Sequence, residues 1–172
     1  MVIETLNEVQ QLKEQLLKSA EKAKISVLSH AEETNPVQFL ASVKFREVGY
    51  DPITGETINL IEQLNQLFSD LVAVSALEHL MIEYPEKVFL LHLGTEAGFD
   101  VESKDGEVAA ECFAVTRVAS NNKLRKDAEK LIKKAENKRK YIFFYSEKDK
   151  EDALIRIYEK YPDVRFIRIR NF

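Results

Sequence analysis

An α/β fold with a mixed β-sheet flanked by helices, extended at its N-terminus by a helical segment, is what this sequence predicts. Three observations carry that reading. Apolar residues recur at helical spacing over 3–24, 59–82 and the stretch holding Leu124, Ala128, Leu131 and Ala135. A nearly continuous apolar run at 88–93 and a buried-looking one at 141–145 read as strands, 164–169 reads as a final strand, and the later strands alternate with helical stretches. Between two strand-like runs stands Asp105-Gly106, a strong hairpin signal because a two-residue type I′ loop needs positive φ at both positions.

Taken in order, residues 3–24 form a helix on the stripe Ile3, Leu6, Val9, Leu12, Leu16, Ala20 and Ala23. A second helix spans 36–43, with Asn35 as cap and Pro36 at the first helical position. The turn-rich stretch 49–55 is an ordered loop. Asn59 or Thr57 caps a long helix that runs to about 82 and ends before Pro85. A strand at 88–93, the hairpin strands 98–103 and 107–116, a helix capped by Ser120 or Asn121, a strand at 141–145, a helix at 149–161 and a strand at 164–169 complete the chain. The expected division is an N-terminal helical arm over 1–50, set against the core or a partner, and an α/β core over 51–172, together one compact domain.

A chain of 172 residues with 45% hydrophobic content suits a globular domain with a real core. No stretch reaches the length of a membrane span, and Met1 opens a polar amphipathic segment rather than a signal peptide, so a cytoplasmic location is expected. One cysteine, Cys112, excludes an internal disulfide and cysteine-rich zinc modules. The net charge of −4 argues against a general nucleic-acid binder, but its distribution is uneven. Acidic residues dominate 62–111. From Arg117 to Lys140 the basic residues, Lys123, Arg125, Lys126 and Lys130 among them, outnumber Asp127, Glu129 and Glu136. Acidic ligands beside a basic flank suit a metal-dependent enzyme acting on a phosphate backbone; a solvated helix face has the same composition.

The hairpin register pairs Ser103 with Val108, Val101 with Ala110 and Asp100 with Glu111. Directly paired side chains share a face with Cβ atoms about 4.5–5.5 Å apart, and like charges so placed repel. A divalent cation, a shared proton, a nearby Lys or Arg, or solvation each answer that repulsion. Cys112 falls on the opposite strand face and reads as core. His30, His79 and His92 lack close metal-ligand spacing, and His92, inside an apolar run, reads as a core histidine. Gly94-Thr95-Glu96-Ala97-Gly98 has neither the lysine nor the following helix of a phosphate loop. Glu102, on the face of Asp100, is either an outer ligand or a solvent-facing carboxylate near the turn.

One helix, three strands, a helix and a fourth strand, with Gly98-Phe99-Asp100 in the second strand and Glu111 in the third, resemble the PD-(D/E)XK nuclease superfamily over residues 59–146. The resemblance implies a restriction-endonuclease-like core. It implies that Asp100 and Glu111 bind Mg²⁺ or Mn²⁺, with Glu62 of the preceding helix completing the ion's shell and the Cys112 carbonyl adding a ligand. Where the family carries a lysine two residues after the glutamate, this chain has Phe113, whose ring neither donates a hydrogen bond nor carries charge. A lysine from the following helix must then serve, Lys123 before Lys126, or the chemistry is lost. Two functions follow from the resemblance. One is a metal-dependent DNA endonuclease, or a subunit of one, with Asp100, Glu111 and Lys123 catalytic and Lys123, Arg125, Lys126 and Lys130 on the DNA backbone. The other is an inactive nuclease-fold protein that binds nucleic acid or a protein. A homodimer or protein partner is expected at the N-terminal helix.

Overall fold

The computed structural model describes residues 1–33, 35–93, 98–118, 122–149 and 151–172. In chain order its elements are β1 (Val2–Ile3), α1 (Leu6–Glu33), α2 (Pro36–Phe45), β2 (Gly49–Tyr50), β3 (Thr57–Ile58), α3 (Leu60–Glu83), β4 (Phe89–Leu91), β5 (Val101–Ser103), β6 (Val108–Val115), α4 (Lys123–Lys134), β7 (Arg139–Ser146), α5 (Glu151–Lys160) and β8 (Val164–Ile169). A six-stranded sheet runs β1-β4-β5-β6-β7-β8. It is antiparallel from β1 to β6 and parallel from β6 to β8, a mixed sheet in an α/β fold. No described helix is long and apolar enough to cross a membrane.

The chain divides into two compact units, one joining Met1–Val9 to Val72–Phe172 and the other comprising Gln10–Leu71. The first holds the whole sheet. Its start differs from the helix expected from residue 3, because Ile3, 2% exposed, pairs with Phe89 in the sheet. The helix begins after Thr5, whose Oγ1 accepts from Glu8 N while Glu8 Oε2 accepts from Thr5 N at 2.8 Å. That reciprocal capping box stops Ile3 from extending the helix. In the second unit Asn35 Oδ1 caps α2 through Gln38 N at 3.0 Å, and Asn59 Oδ1 caps α3 through Glu62 N at 2.9 Å. The stretch 49–55 holds β2 and the turn of a small β2–β3 hairpin. Gly49 is required there, since a Cβ would lie 2.7 Å from the Oε1 of buried Gln63.

Within the first unit, strand alternation sorts the aromatic residues of β7 onto two faces. Ile142 and Phe144 join Ala109, Phe113, Leu124, Ala128, Leu131 and Leu154 in one apolar cluster beneath α4 and α5. Tyr141 and Phe143 lie on the other face, where the second half of α3 meets them; the His79 and Phe143 ring centroids are 5.4 Å apart. β6 is buried from Val108 to Phe113, as a strand covered on both faces requires.

The hairpin keeps the expected register, Val101 opposite Ala110 and Glu102 opposite Ala109, but reaches it by a different turn. Only Gly106 has positive φ, at 77°, so the loop is not type I′. Gly106 N donates to Ser103 O at 2.8 Å, and Asp105 Oδ1 accepts from Ser103 Oγ and from Glu107 N. The Asp105 carboxylate, held also by Lys87, stabilises a four-residue loop instead. Because the four residues span the same strand ends, every pair downstream is unchanged. The expected caps Ser120 and Asn121 lie outside the described residues. Asn122, which precedes α4, is left-handed and makes no side-chain cap.

Candidate metal centre

The site lies where the sheet changes from antiparallel to parallel. Continuing the observed pairing by one residue sets Asp100 opposite Glu111, and Cys112 N donates to Asp100 Oδ2 at 2.6 Å. On the other side His92 N donates to Asp100 O at 2.9 Å, which brings His92 into the same row across the sheet. His92 Nε2 and Lys138 Nζ lie 3.7 and 3.3 Å from the two oxygens of Glu102. These side chains face α4.

From α4 come three further charged groups. Lys123, Asp127 and Lys130 stand at i, i+4 and i+7, a spacing that aligns them on one helix face beside the buried Leu124, Ala128 and Leu131. Lys130 Nζ is 2.6 Å from Glu111 Oε1 and donates to Gly98 O at 2.7 Å. The contact with Glu111 is a close ion pair between a buried carboxylate and a half-buried ammonium. Lys123 Nζ donates to Asp127 Oδ1 at 2.9 Å and sits 5.9 Å over the Phe113 ring.

Glu111 is 1% exposed and Asp127 4% exposed. Burial disfavours the ionised form of both, and the surrounding charges then decide the result. For Glu111, burial and the negative charge of Asp100 outweigh Lys130 and push the carboxyl up to about 7. Burial also raises Asp100, against the Cys112 amide and the charges of Lys123 and Lys130. Asp127 is raised by burial against the pull of Lys123. Burial lowers the Lys123 ammonium, but Asp127, Asp100 and Glu111 together carry it above its ordinary value.

Of the residues marked in the sequence, Asp100 and Glu111 come together, whereas the lysine that touches Glu111 is Lys130 and not Lys123. Phe113 is a core ring stacked 5.8 Å from Phe144. Arg125 and Lys126 are exposed on the solvent side of α4, with Arg125 Nε 3.8 Å from Glu129. Glu62 is an exposed residue of the other unit, where its Oε2 accepts from the side-chain amide Nδ2 of Asn59 at 3.3 Å. The Cys112 thiol is buried and raised well above its ordinary pKa, an inert core position. Sequence reasoning passed over Asp127 and placed His92 in the core. The lysine–aspartate–lysine stripe at i, i+4, i+7 is the signal that marks the α4 face.

Among the described residues, no three His, Cys, Asp or Glu side chains converge as a ready-made ion cage. Mg²⁺ does not need one, since it keeps several waters and takes one or two carboxylates. Asp100 and Glu111 are such a donor set of hard oxygens. No family model matches the chain, and no curated protein or solved structure is significantly similar to it.

Proposed function

We propose that this chain is a metal-dependent phosphodiesterase of the nuclease type, with Asp100 and Glu111 holding Mg²⁺ or Mn²⁺ and Lys130 supplying the ammonium. The observation that carries this reading is the Lys130 ammonium 2.6 Å from Glu111 Oε1. A lysine from α4 beside Glu111 supports the reading, since the resemblance to PD-(D/E)XK nucleases calls for one and Phe113 cannot serve. The order α3, β4, β5, β6, α4, β7 supports the same resemblance.

A bound divalent ion would lower the pKa of water and polarise a phosphoryl oxygen. The chain's own part is positional and electrostatic. Asp100 and Glu111 share one sheet face because the hairpin register pairs them. Lys130 opposes the burial that raises Glu111 and brings an ammonium to neutralise charge on a scissile phosphate. Lys123 adds a second positive charge on the same face of α4. Arg125 and Lys126, exposed on that helix, meet the DNA backbone without reading sequence. A cytoplasmic location fits a DNA substrate. The apolar residues exposed on α1 and α2, Ile25, Leu28, Val37, Leu40 and Phe45, suit a homodimer or protein partner.

The burial of Glu111 favours a second reading, in which Lys130 and Glu111 form a structural ion pair in an inactive nuclease-fold protein. Plasmid cleavage in Mg²⁺ or Mn²⁺ separates the two. Wild type should cut, Asp100→Asn and Lys130→Met should not, and Lys130→Arg should recover part of the rate. Cleavage by wild type and Asp100→Asn alike, or by neither, would leave the second reading.

A further inference from the structure

We propose that Asp127 is a further residue of the metal centre, its Oδ2 accepting a hydrogen bond from a water carried by the ion that Asp100 and Glu111 hold. The proposal rests on the metal-dependent reading above and extends it to a group that neither the hairpin nor the resemblance points to. Asp127 is 4% exposed, and its two oxygens are treated differently by the protein. Oδ1 accepts from Lys123 Nζ at 2.9 Å, whereas Oδ2 is buried without a hydrogen-bond partner among the described residues. A carboxylate needed only to pair with a lysine one helical turn away has no reason to be sunk into the interface, because such pairs form readily on exposed helix faces. Buried acceptors are almost always satisfied, and one left open in a polar site points to a ligand or water.

Position supplies the rest. Asp127 lies between Lys123 and Lys130 on the face of α4 that meets Glu111, and the fields of the acids overlap. A cation among the three acids removes their mutual repulsion. The acids do not converge closely enough for Asp127 to be a direct ligand. An ion that keeps several of its waters reaches Asp127 through one of them. In this arrangement α4 contributes both the lysine that the third strand lacks and the acid that Glu62 does not supply.

The test is Mn²⁺ titration by calorimetry on the full chain, comparing wild type with Asp127→Asn, Asp127→Glu, Lys123→Met and Asp100→Asn, with melting curves in ion-free buffer to establish folding. Asp127→Asn should weaken Mn²⁺ binding by about 10–100-fold, the usual loss for an outer hydrogen-bond partner of a metal site. It should also gain less melting temperature than wild type when Mn²⁺ is added. Lys123→Met should bind Mn²⁺ at least as tightly as wild type, since a like charge has been removed. Three results overturn the proposal while leaving Asp100 and Glu111 as ligands. They are unchanged affinity in Asp127→Asn, equal weakening in Asp127→Asn and Lys123→Met, and full retention in Asp127→Glu, which keeps the charge but moves the oxygen. Absence of Mn²⁺ binding by wild type at millimolar ion overturns both the metal-dependent reading and this extension of it.

Discussion

Two clusters of charge sit on opposite faces of the same sheet, and the protein treats them in opposite ways. At the end of α3, Glu83 accepts from Tyr141 Oη at 2.9 Å and from Tyr84 Oη at 3.1 Å, and is paired with Arg165. Tyr141 also accepts from Arg165, and Tyr84 from Arg139, each at 2.9 Å. Burial works against the Glu83 carboxylate, but the hydrogen bonds from Tyr141, Arg165 and Tyr84 outweigh it and hold its pKa below the ordinary value. Under α4 the balance is reversed. Glu111 is paired with Lys130, yet its carboxyl rises to about 7, and Asp127 keeps an open oxygen. A polar network that satisfies itself stabilises and orients the fold; one that is left short is poised for something the chain does not contain.

The largest effect that sharpens this contrast is on catalysis. Asp100→Asn should reduce Mg²⁺-dependent plasmid cleavage by about 100-fold or more, the scale of losing a principal electrostatic group. Tyr141→Phe, measured in the same assay, should leave the rate within about twofold. A strong loss in Tyr141→Phe with correct folding would break the division of labour between the faces.

Next comes the pH dependence of ion-free stability. With its pKa raised from 4.5 to about 7 in the folded state, Glu111 holds a proton that the unfolded chain releases. More protons are bound when folded, so its contribution makes stability fall as pH rises from about 4.5 to about 7 and then level off. The full displacement is worth at most about 3 kcal/mol. Glu111→Gln should therefore raise ion-free stability at pH 8 by about 1–3 kcal/mol and flatten this part of the profile. Loss of the ion pair opposes that gain only weakly, since the Lys130 side chain is 32% exposed and keeps its bond to Gly98 O. Urea denaturation at pH 5 and pH 8 measures both, and a large loss of stability at pH 8 would assign the pair a structural role.

On the opposite face Tyr141→Phe should cost about 1 kcal/mol in urea denaturation without altering Mn²⁺ affinity, because it removes a hydroxyl that bonds buried Tyr84 and half-buried Glu83. The smallest effect belongs to the exposed side of α4. Arg125→Ala with Lys126→Ala should lower DNA affinity modestly and reduce the salt slope by about 2, with ion binding unchanged.

Much of the local structure was legible before any coordinates. The cap at Asn35, the cap at Asn59, the stop at Pro85 and the final strand at 164–169 depend on neighbours within a few residues, and all are present as read. So is the hairpin register of Val101 on Ala110 and Glu102 on Ala109, whose continuation by one residue sets Asp100 opposite Glu111, even though the turn itself is of another type. Ile3 was misplaced because a helical stripe is blind to a strand partner 86 positions away, Phe89.

What sequence determined by itself, then, is the succession of helices and strands and the face on which two acids meet, because both follow from short-range spacing. Tertiary structure alone decided that Lys130 and not Lys123 reaches Glu111. The two lysines are nearly equivalent by helical angle, and only the height of α4 above β6 tells them apart. It alone decided that Asp127 is buried with an open oxygen, and that Glu111 holds its proton to about 7. Burial and the distances between charges set these properties, and neither is a function of spacing along the chain.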